Sequence, residues 1–124
     1  MDKRPTKCNL CGGKIILIRT SSKNARMKFI YKCTKCGARV GTHPMTLDAL
    51  GTLANKDTRT KRREVHQWFD NLYSNHDERE MLYEKLALAL GIDREDCHFG
   101  LMSDEMLEKA LAIIKQWWWE QFDR

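Results

Sequence analysis

Two pairs of cysteines with the same spacing constrain the fold of this chain more than any other sequence feature. Cys8 and Cys11 form one Cys-x2-Cys-Gly sequence, and Cys33 and Cys36 form a second. In such a knuckle a tight turn brings two thiolates to one ion, and the glycine allows the backbone to point amides at sulfur. Four thiolates complete a tetrahedral shell, so we predict one structural Zn²⁺ with no open position for water or substrate. The alternative, four free buried thiols, leaves the identical spacing unexplained.

The segment between the knuckles has the pattern of a β-hairpin. Two runs rich in β-branched and aromatic residues, 14–20 and 27–32, flank a polar stretch at 21–26. The sequence therefore predicts a two-stranded, four-cysteine zinc ribbon over residues 1–40. So small a unit cannot bury a sizeable core, and we expect its stability to depend on the metal.

The rest of the chain, residues 41–124, is predicted to form a helical domain packed against the ribbon, which makes the fold class α+β. A connection rich in Gly and Thr at 41–52 leads into a first helix over about 53–73. Apolar residues from Val65 to Tyr73 follow the helical period of one buried stripe.

Two further helices have recognisable ends. The second begins near Asn75 and stops at Gly91, a short turn follows at 93–96, and the third begins after Ser103, a good N-cap, and ends near Phe122. The apolar residues of the second helix are expected to lie in the core: Met81, Leu82, Leu86 and Leu90.

The charge of the chain is strongly divided along its length. Residues 1–66 carry 16 Lys+Arg and 4 Asp+Glu, net +12, whereas residues 67–124 carry 6 and 13, net −7. A basic half attracts phosphate backbones and an acidic half is repelled by them, so we expect two surfaces with different partners. The alternative is that the two halves attract each other, within one chain or across a dimer.

The cations of the basic half are expected to form a continuous footprint on DNA or RNA. In the first helix they recur at three- and four-residue intervals from Lys56 to His66, and Glu64 is the only acid between Thr58 and His66. A solvated helix face is the alternative. The predicted nucleic-acid-binding residues are Lys14, Arg19, Lys23, Arg26, Lys28, Lys32, Lys35, Arg39, Arg59, Lys61, Arg62 and Arg63.

Three consecutive tryptophans mark the last helix. At about 100° per residue their side chains spread over some 200°, so one face cannot bury all three. Because large aromatic residues dominate interface energetics, this end of the chain is predicted to contact a protein partner or to form a homodimer. A central helix wrapped by its own domain is the alternative. The predicted interface residues are Trp117, Trp118, Trp119 and Phe122.

Four other residues have side chains that can bind metal. His43, His66, Cys97 and His98 are capable ligands, but no two of them have the spacing of a helical ligand pair. A buried thiol and hydrogen-bonded histidines explain them better than a second metal or catalytic site.

The order of these motifs resembles a small bacterial and phage family that is described only as a zinc-finger-containing domain of unknown function. Met45 departs from the glycine expected there after His-Pro. The resemblance implies a fold and a prokaryotic or phage setting, and no catalytic residues. It rests on the two knuckles and on four further segments: Val-Gly-Thr-His-Pro at 40–44, Leu-Gly-Thr-Leu-Ala-Asn at 50–55, Leu-Gly-Ile at 90–92 and Cys-His-Phe-Gly at 97–100.

Three functions are compatible with these features. The first is a non-enzymatic accessory protein whose basic half contacts the phosphate backbone of DNA or RNA and whose acidic half contacts protein. The second is a protein-interaction subunit that docks on a larger nucleic-acid enzyme, such as a CRISPR-type or other defence nuclease, and modulates it without binding nucleic acid tightly. The third is a metal-dependent enzyme that uses the histidines and Cys97. We favour the first, in the cytoplasm and without a membrane or small-molecule partner, because neither a membrane span nor a signal peptide nor a catalytic motif is predicted.

Overall fold

A computed structural model of the chain divides into two compact units, Met1–Asp57 and Thr58–Arg124. It describes residues 2–20, 29–43 and 45–122. The first unit contains a three-stranded antiparallel sheet and the second contains most of three helices, so the α+β class predicted from the sequence is confirmed.

The first unit is built on three strands in the order β1-β2-β3. These are β1 (Ile15–Arg19), β2 (Phe29–Cys33) and β3 (Arg39–Gly41), each antiparallel to its neighbour. The predicted hairpin is therefore present, and β3 adds a third strand to it. That strand follows the second knuckle, where Gly37 has a φ of 79° and allows the chain to turn back along β2.

One face of the sheet packs on the segment that follows it. Ile15, Tyr31 and Val40 are buried there together with Ala49 and Leu53. The Tyr31 hydroxyl also donates a hydrogen bond of 2.6 Å to the Leu47 carbonyl. The first unit therefore extends beyond residue 40, where the sequence pattern placed a boundary, because Ala49 and Leu53, which follow β3, belong to this core.

The helical elements are α1 (Lys56–Asp70), α2 (His76–Leu90) and α3 (Asp104–Phe122), with two 3₁₀ turns, Arg94–Asp96 and Phe99–Leu101, between the last two helices. The predicted short turn at 93–96 matches the first 3₁₀ turn. None of the helices in the described part of the chain is both long and apolar enough to cross a membrane.

Local sequence signals set the ends of these helices. The Asn75 side chain accepts a hydrogen bond of 2.9 Å from the Glu78 backbone N–H, and Gly91 ends α2 with a φ of 70°. The Ser103 hydroxyl accepts a hydrogen bond from the Met106 N–H at 3.2 Å. α1 begins later than predicted because Leu53 belongs to the core of the first unit.

The helical core is aromatic at its centre. Phe69 of α1 lies 4.5 Å from Tyr83 of α2 and 5.4 Å from Phe99, measured between ring centroids. Leu86 and Leu107 are fully buried around these rings. The prediction that Met81 lies in this core is wrong: the inward side of α2 is set by Tyr83, Leu86 and Ala87, and Met81 is 69% exposed.

Two leucines of α2 provide a matched test of this packing. Leu86 is fully buried and Leu88 is 84% exposed, in the same helix. Leu86→Ala should lower the free energy of unfolding by about 2–5 kcal/mol, since it leaves a cavity, whereas Leu88→Ala should change it by less than about 0.5 kcal/mol. Urea denaturation followed by far-UV circular dichroism measures both. Equal losses for the two variants would contradict the packing described.

Candidate metal centre

The four knuckle cysteines converge on one point. All four sulfur atoms lie within 4.8 Å of one another. The Sγ atoms of Cys8 and Cys36 are 3.7 Å apart, and those of Cys11 and Cys33 are 3.4 Å apart. Tetrahedral Zn²⁺ with Zn–S bonds of about 2.3 Å separates its sulfur ligands by about 3.8 Å. The cluster therefore has the dimensions of a four-thiolate zinc site before any adjustment of the backbone.

Backbone amides point at the sulfurs, as the knuckle sequence predicts. The N–H groups of Leu10 and Gly13 donate to the first knuckle, to Cys8 and Cys11 Sγ, at 3.4 Å each. The Lys35 N–H donates to Cys33 Sγ at 3.3 Å. Hydrogen bonds of this kind stabilise thiolates, which are the form that binds a metal.

Gly13 has a role in this site that the sequence analysis missed. A Cβ at this position would lie 2.9 Å from Cys33 Sγ and 2.8 Å from the Cβ of Lys35. The two knuckles therefore approach each other only because residue 13 has no side chain. The signal available in the sequence was the second glycine that follows Cys11.

The pKa values of the Cys33 and Cys36 thiols also favour a bound cation at this cluster. The backbone N–H groups of Cys36 and Lys35 lower the pKa of Cys33 to about 6. Although the Ala38 N–H acts in the opposite direction, desolvation and the three neighbouring sulfurs raise the pKa of Cys36 to about 12. Four thiolates in contact repel one another, and a divalent cation removes that repulsion. The residues therefore fit one structural zinc ion, which fills its coordination shell with protein sulfur.

The remaining candidate ligands are not assembled into a second site. Within residues 2–20, 29–43 and 45–122, the cysteine quartet is the only group of three or more His, Cys, Asp or Glu that could share an ion. Cys97 is fully buried, and burial raises its thiol pKa. The His66 ring packs edge-on against Phe99 at 4.8 Å, and desolvation lowers its pKa.

The cations predicted on the ribbon are distributed over both sides of the sheet. Side chains alternate along a strand, so Lys14, Lys32 and Arg39 lie on the face opposite the core, whereas Arg19 lies on the core side at the end of β1. Lys35 is exposed in the second knuckle. Three of the predicted residues fall outside the described residues: Lys23, Arg26 and Lys28.

The cations predicted on α1 are also divided between two sides of their helix. Lys61 pairs with Asp104 at 3.5 Å and with Glu108 at 3.0 Å, and the hydrogen bond to Glu108 raises the pKa of its ammonium group. Arg62 is half-buried, and this burial lowers its pKa. Helical geometry places Arg59 and Arg63 on the side away from α3.

The three consecutive tryptophans have three different environments. Trp117 is half-buried, with Lys85 Nζ 4.5 Å from its ring centroid. Trp118 packs edge-on between Trp68, at 5.5 Å, and Trp119, at 5.6 Å. Trp119 is 60% exposed. The side chain of Phe122, the fourth predicted interface residue, lies outside the described part of the chain.

Comparison with known sequences gives one result. Residues 4–117 match the model of a family described as a zinc-finger-containing domain. No match was found among curated proteins or solved structures.

Zinc content tests the metal centre directly. The wild-type protein should hold one zinc per chain, and Cys33→Ser should lose both the zinc and the structure of the sheet, because metal binding and folding are coupled in so small a unit. Elemental analysis after native purification gives the zinc content, and one-dimensional NMR follows the sheet.

The fifth cysteine supplies the control for this experiment. Cys97 lies in the helical core, so Cys97→Ala should keep one zinc per chain even if it lowers the stability of the helices. A folded wild-type sheet without bound metal, or loss of zinc in Cys97→Ala, would rule out the four-cysteine site.

Proposed function

This chain belongs to the family of zinc-finger-containing domains, and we propose that it is a non-enzymatic accessory protein that binds DNA or RNA through the phosphate backbone. The match over residues 4–117 confirms the family resemblance predicted from the motifs. Since four protein thiolates satisfy the zinc ion, the metal serves the fold and leaves no coordination position for a substrate. We place the protein in the cytoplasm of a bacterial or phage-infected cell.

Four exposed cations on the open face of the sheet are the main support for this proposal. Lys7 lies opposite Lys14 across an antiparallel bridge, and Lys32 lies opposite Arg39 across β2 and β3. Lys14, which directly precedes β1, and Lys32 of β2 are diagonal neighbours, because Ile16 is the residue opposite Lys32. Diagonal neighbours are about 7–8 Å apart. We call Lys7, Lys14, Lys32 and Arg39 the basic row; Lys7 was not singled out in the sequence.

The basic row carries uncompensated charge. Like charges directly opposite each other destabilise a sheet, and this face contains two such pairs. No acidic residue occurs in β1, β2 or β3, and none of the four cations forms an ion pair within the described part of the chain. A polyanion relieves this repulsion, which is the physical reason for preferring a phosphate backbone as the partner.

The first helix, α1, offers a second basic side. Lys56, Arg59 and Arg63 recur at intervals of three and four residues on the side of α1 away from α3. Lys61 lies towards α3 and pairs with two of its carboxylates. We assign the phosphate contacts of α1 to Lys56, Arg59 and Arg63 because they share one side of the helix, and we expect Lys61 to contribute less.

A protein partner is the second proposed function, supported by the exposed aromatic surface at the end of α3. Trp68, Trp118 and Trp119 form a continuous edge-on stack whose outermost ring is Trp119. Exposed aromatic surface of this kind is typical of interface anchors. We propose that this stack docks on a larger nucleic-acid enzyme, a host defence nuclease being one example, which the protein then modulates.

The salt dependence of binding tests the basic row. Lys32→Gln and Arg39→Gln should each reduce the slope of log K against log salt for duplex DNA by about one, because each removes one phosphate contact. Fluorescence anisotropy with labelled duplexes of unrelated sequence, at several salt concentrations, measures the slope. The affinity of the wild-type protein should depend little on the sequence.

Arg19→Gln is the matched control, since Arg19 is exposed on the same sheet but on its other side. Its slope should equal that of the wild type. The proposal fails if the wild-type protein does not bind duplex DNA or RNA in low salt, or if the row variants and Arg19→Gln behave alike.

Replacement of one tryptophan tests the docking surface. Trp119→Ser should abolish co-purification with a partner enzyme and leave zinc and helix content unchanged, because its ring is mostly exposed. Trp117→Phe, at the half-buried position on the other side of α3, should retain the partner. Affinity capture with a tagged chain and mass spectrometry compares the three proteins; equal capture by wild type and Trp119→Ser would contradict this surface.

A further inference from the structure

In both knuckles, the residue that follows the first cysteine binds the backbone of another segment. Asn9 uses both ends of its side-chain amide on Leu53: Nδ2 donates to the Leu53 carbonyl at 3.0 Å, and Oδ1 accepts from the Leu53 N–H at 2.9 Å. In the second knuckle, the Thr34 N–H and hydroxyl both donate to the Lys14 carbonyl, at 2.9 Å and 2.8 Å. Each knuckle is therefore fastened to a segment outside the two Cys-x2-Cys sequences.

The segment that Asn9 holds is also bound to the strand after the second knuckle. Ala54, which follows Leu53, pairs with Arg39 through two backbone hydrogen bonds: the Ala54 N–H donates at 3.0 Å and the Arg39 N–H donates at 3.1 Å. Arg39 is the first residue of β3 and comes three residues after Cys36. Leu53 and Ala54 thus join the first knuckle to the strand that leaves the second. We call these two residues the strap.

The strap is buried, and its polar groups need these contacts. Leu53 is 2% exposed and Ala54 is 1% exposed. Within the described part of the chain, Asn9 is the only hydrogen-bond partner of the Leu53 N–H and carbonyl. A buried N–H or C=O without a partner is strongly unfavourable. The strap is therefore stable in this position only while Asn9 is held against it.

Asn9 connects the strap to the metal centre, because it lies between two of the four cysteines, Cys8 and Cys11. We propose that the strap is a closing device of the metal centre and that Asn9 is its latch. Bound zinc fixes the knuckle turn that presents Asn9 to Leu53, and the closed strap holds the first knuckle to β3. Such coupling is reciprocal: whatever zinc adds to the stability of the closed strap, the closed strap adds to zinc affinity.

This coupling predicts how the site loses its metal. Strap opening removes one connection between the first knuckle and β3, so zinc should leave the open form faster than the closed form. Asn9 acts as a positioning residue, since its side chain binds Leu53 and supplies no ligand atom. Arg39 is also a cation of the basic row, so metal loading and the position of this cation are linked. That last consequence alone rests on the proposed function.

Zinc affinity in variants that open the strap from either end tests the coupling. Asn9→Leu keeps the approximate size of the side chain and removes both hydrogen bonds to Leu53, whereas Ala54→Pro removes the N–H that donates to Arg39 and leaves the knuckle unchanged. Each should lower zinc affinity by about tenfold and speed zinc release to a chelator, which is the effect expected for residues that support metal ligands. Leu10→Ala is the matched control: it lies in the same knuckle, is 54% exposed and should release zinc as the wild type does.

Hydrogen exchange in the zinc-loaded proteins shows whether the strap opens by itself. The Leu53 amide should exchange at least about tenfold faster in Asn9→Leu and Ala54→Pro than in the wild type, while the amides of β2 stay protected. Faster exchange at Leu53 with zinc affinity within about twofold of the wild type overturns the inference, because strap and metal are then independent. Loss of the whole sheet in both zinc-loaded variants also overturns it, because the strap is then an inseparable part of the sheet. Neither result bears on nucleic-acid binding, and a wild type that binds no nucleic acid leaves the strap unaffected.

Discussion

The four-thiolate site is the constraint on which the first unit depends. Cys8 and Cys11 precede β1, Cys33 ends β2 and Cys36 precedes β3, so one ion joins every segment of the sheet on one side. The hydrophobic core that accompanies it consists of a few side chains around Tyr31. A core of this size offsets little of the conformational entropy of folding, and metal binding supplies the difference.

The metal site stabilises one end of the sheet. The face opposite the hydrophobic core therefore does not have to be covered for the first unit to be stable. A sheet of three short strands without a metal would have to bury apolar residues on that face or pair its charges to be stable. Here it carries the basic row beside Ile16, which is itself 40% exposed. The cost of opposing Lys32 to Arg39 is tolerable in a unit held together by zinc, and it leaves a surface whose charge is available to a polyanion.

The parts of the structure that were predictable from the sequence are those that local chemistry decides. The knuckle spacing specifies a zinc site, and Asn75, Gly91 and Ser103 mark helix ends because a cap is a contact within a few residues. Met81 was assigned to the wrong side because α2 has apolar residues all around it, so its sequence does not show which side meets Phe69 and Phe99. The family match describes the chain as a zinc-finger-containing domain, but it does not specify how the helices pack.

The contacts of the α1 cations show that attraction between opposite charges explains only part of the charge division along the chain. Attraction within the helical unit does occur: Lys61 pairs with two acids of α3, and Glu64 lies 3.9 Å from Lys115. These groups are all at least one third exposed to solvent, and each such pair contributes only about 0–1 kcal/mol. So small a gain does not account for a difference between +12 and −7 in the two halves. Helical geometry also places Arg63 on the side of α1 away from the acids of α3, and the basic row has no acidic residue on its own strands. The proposed binding of a polyanion by the basic surfaces accounts for their excess of positive charge, and repulsion of that polyanion by the acids of α3 accounts for the negative excess of the second half.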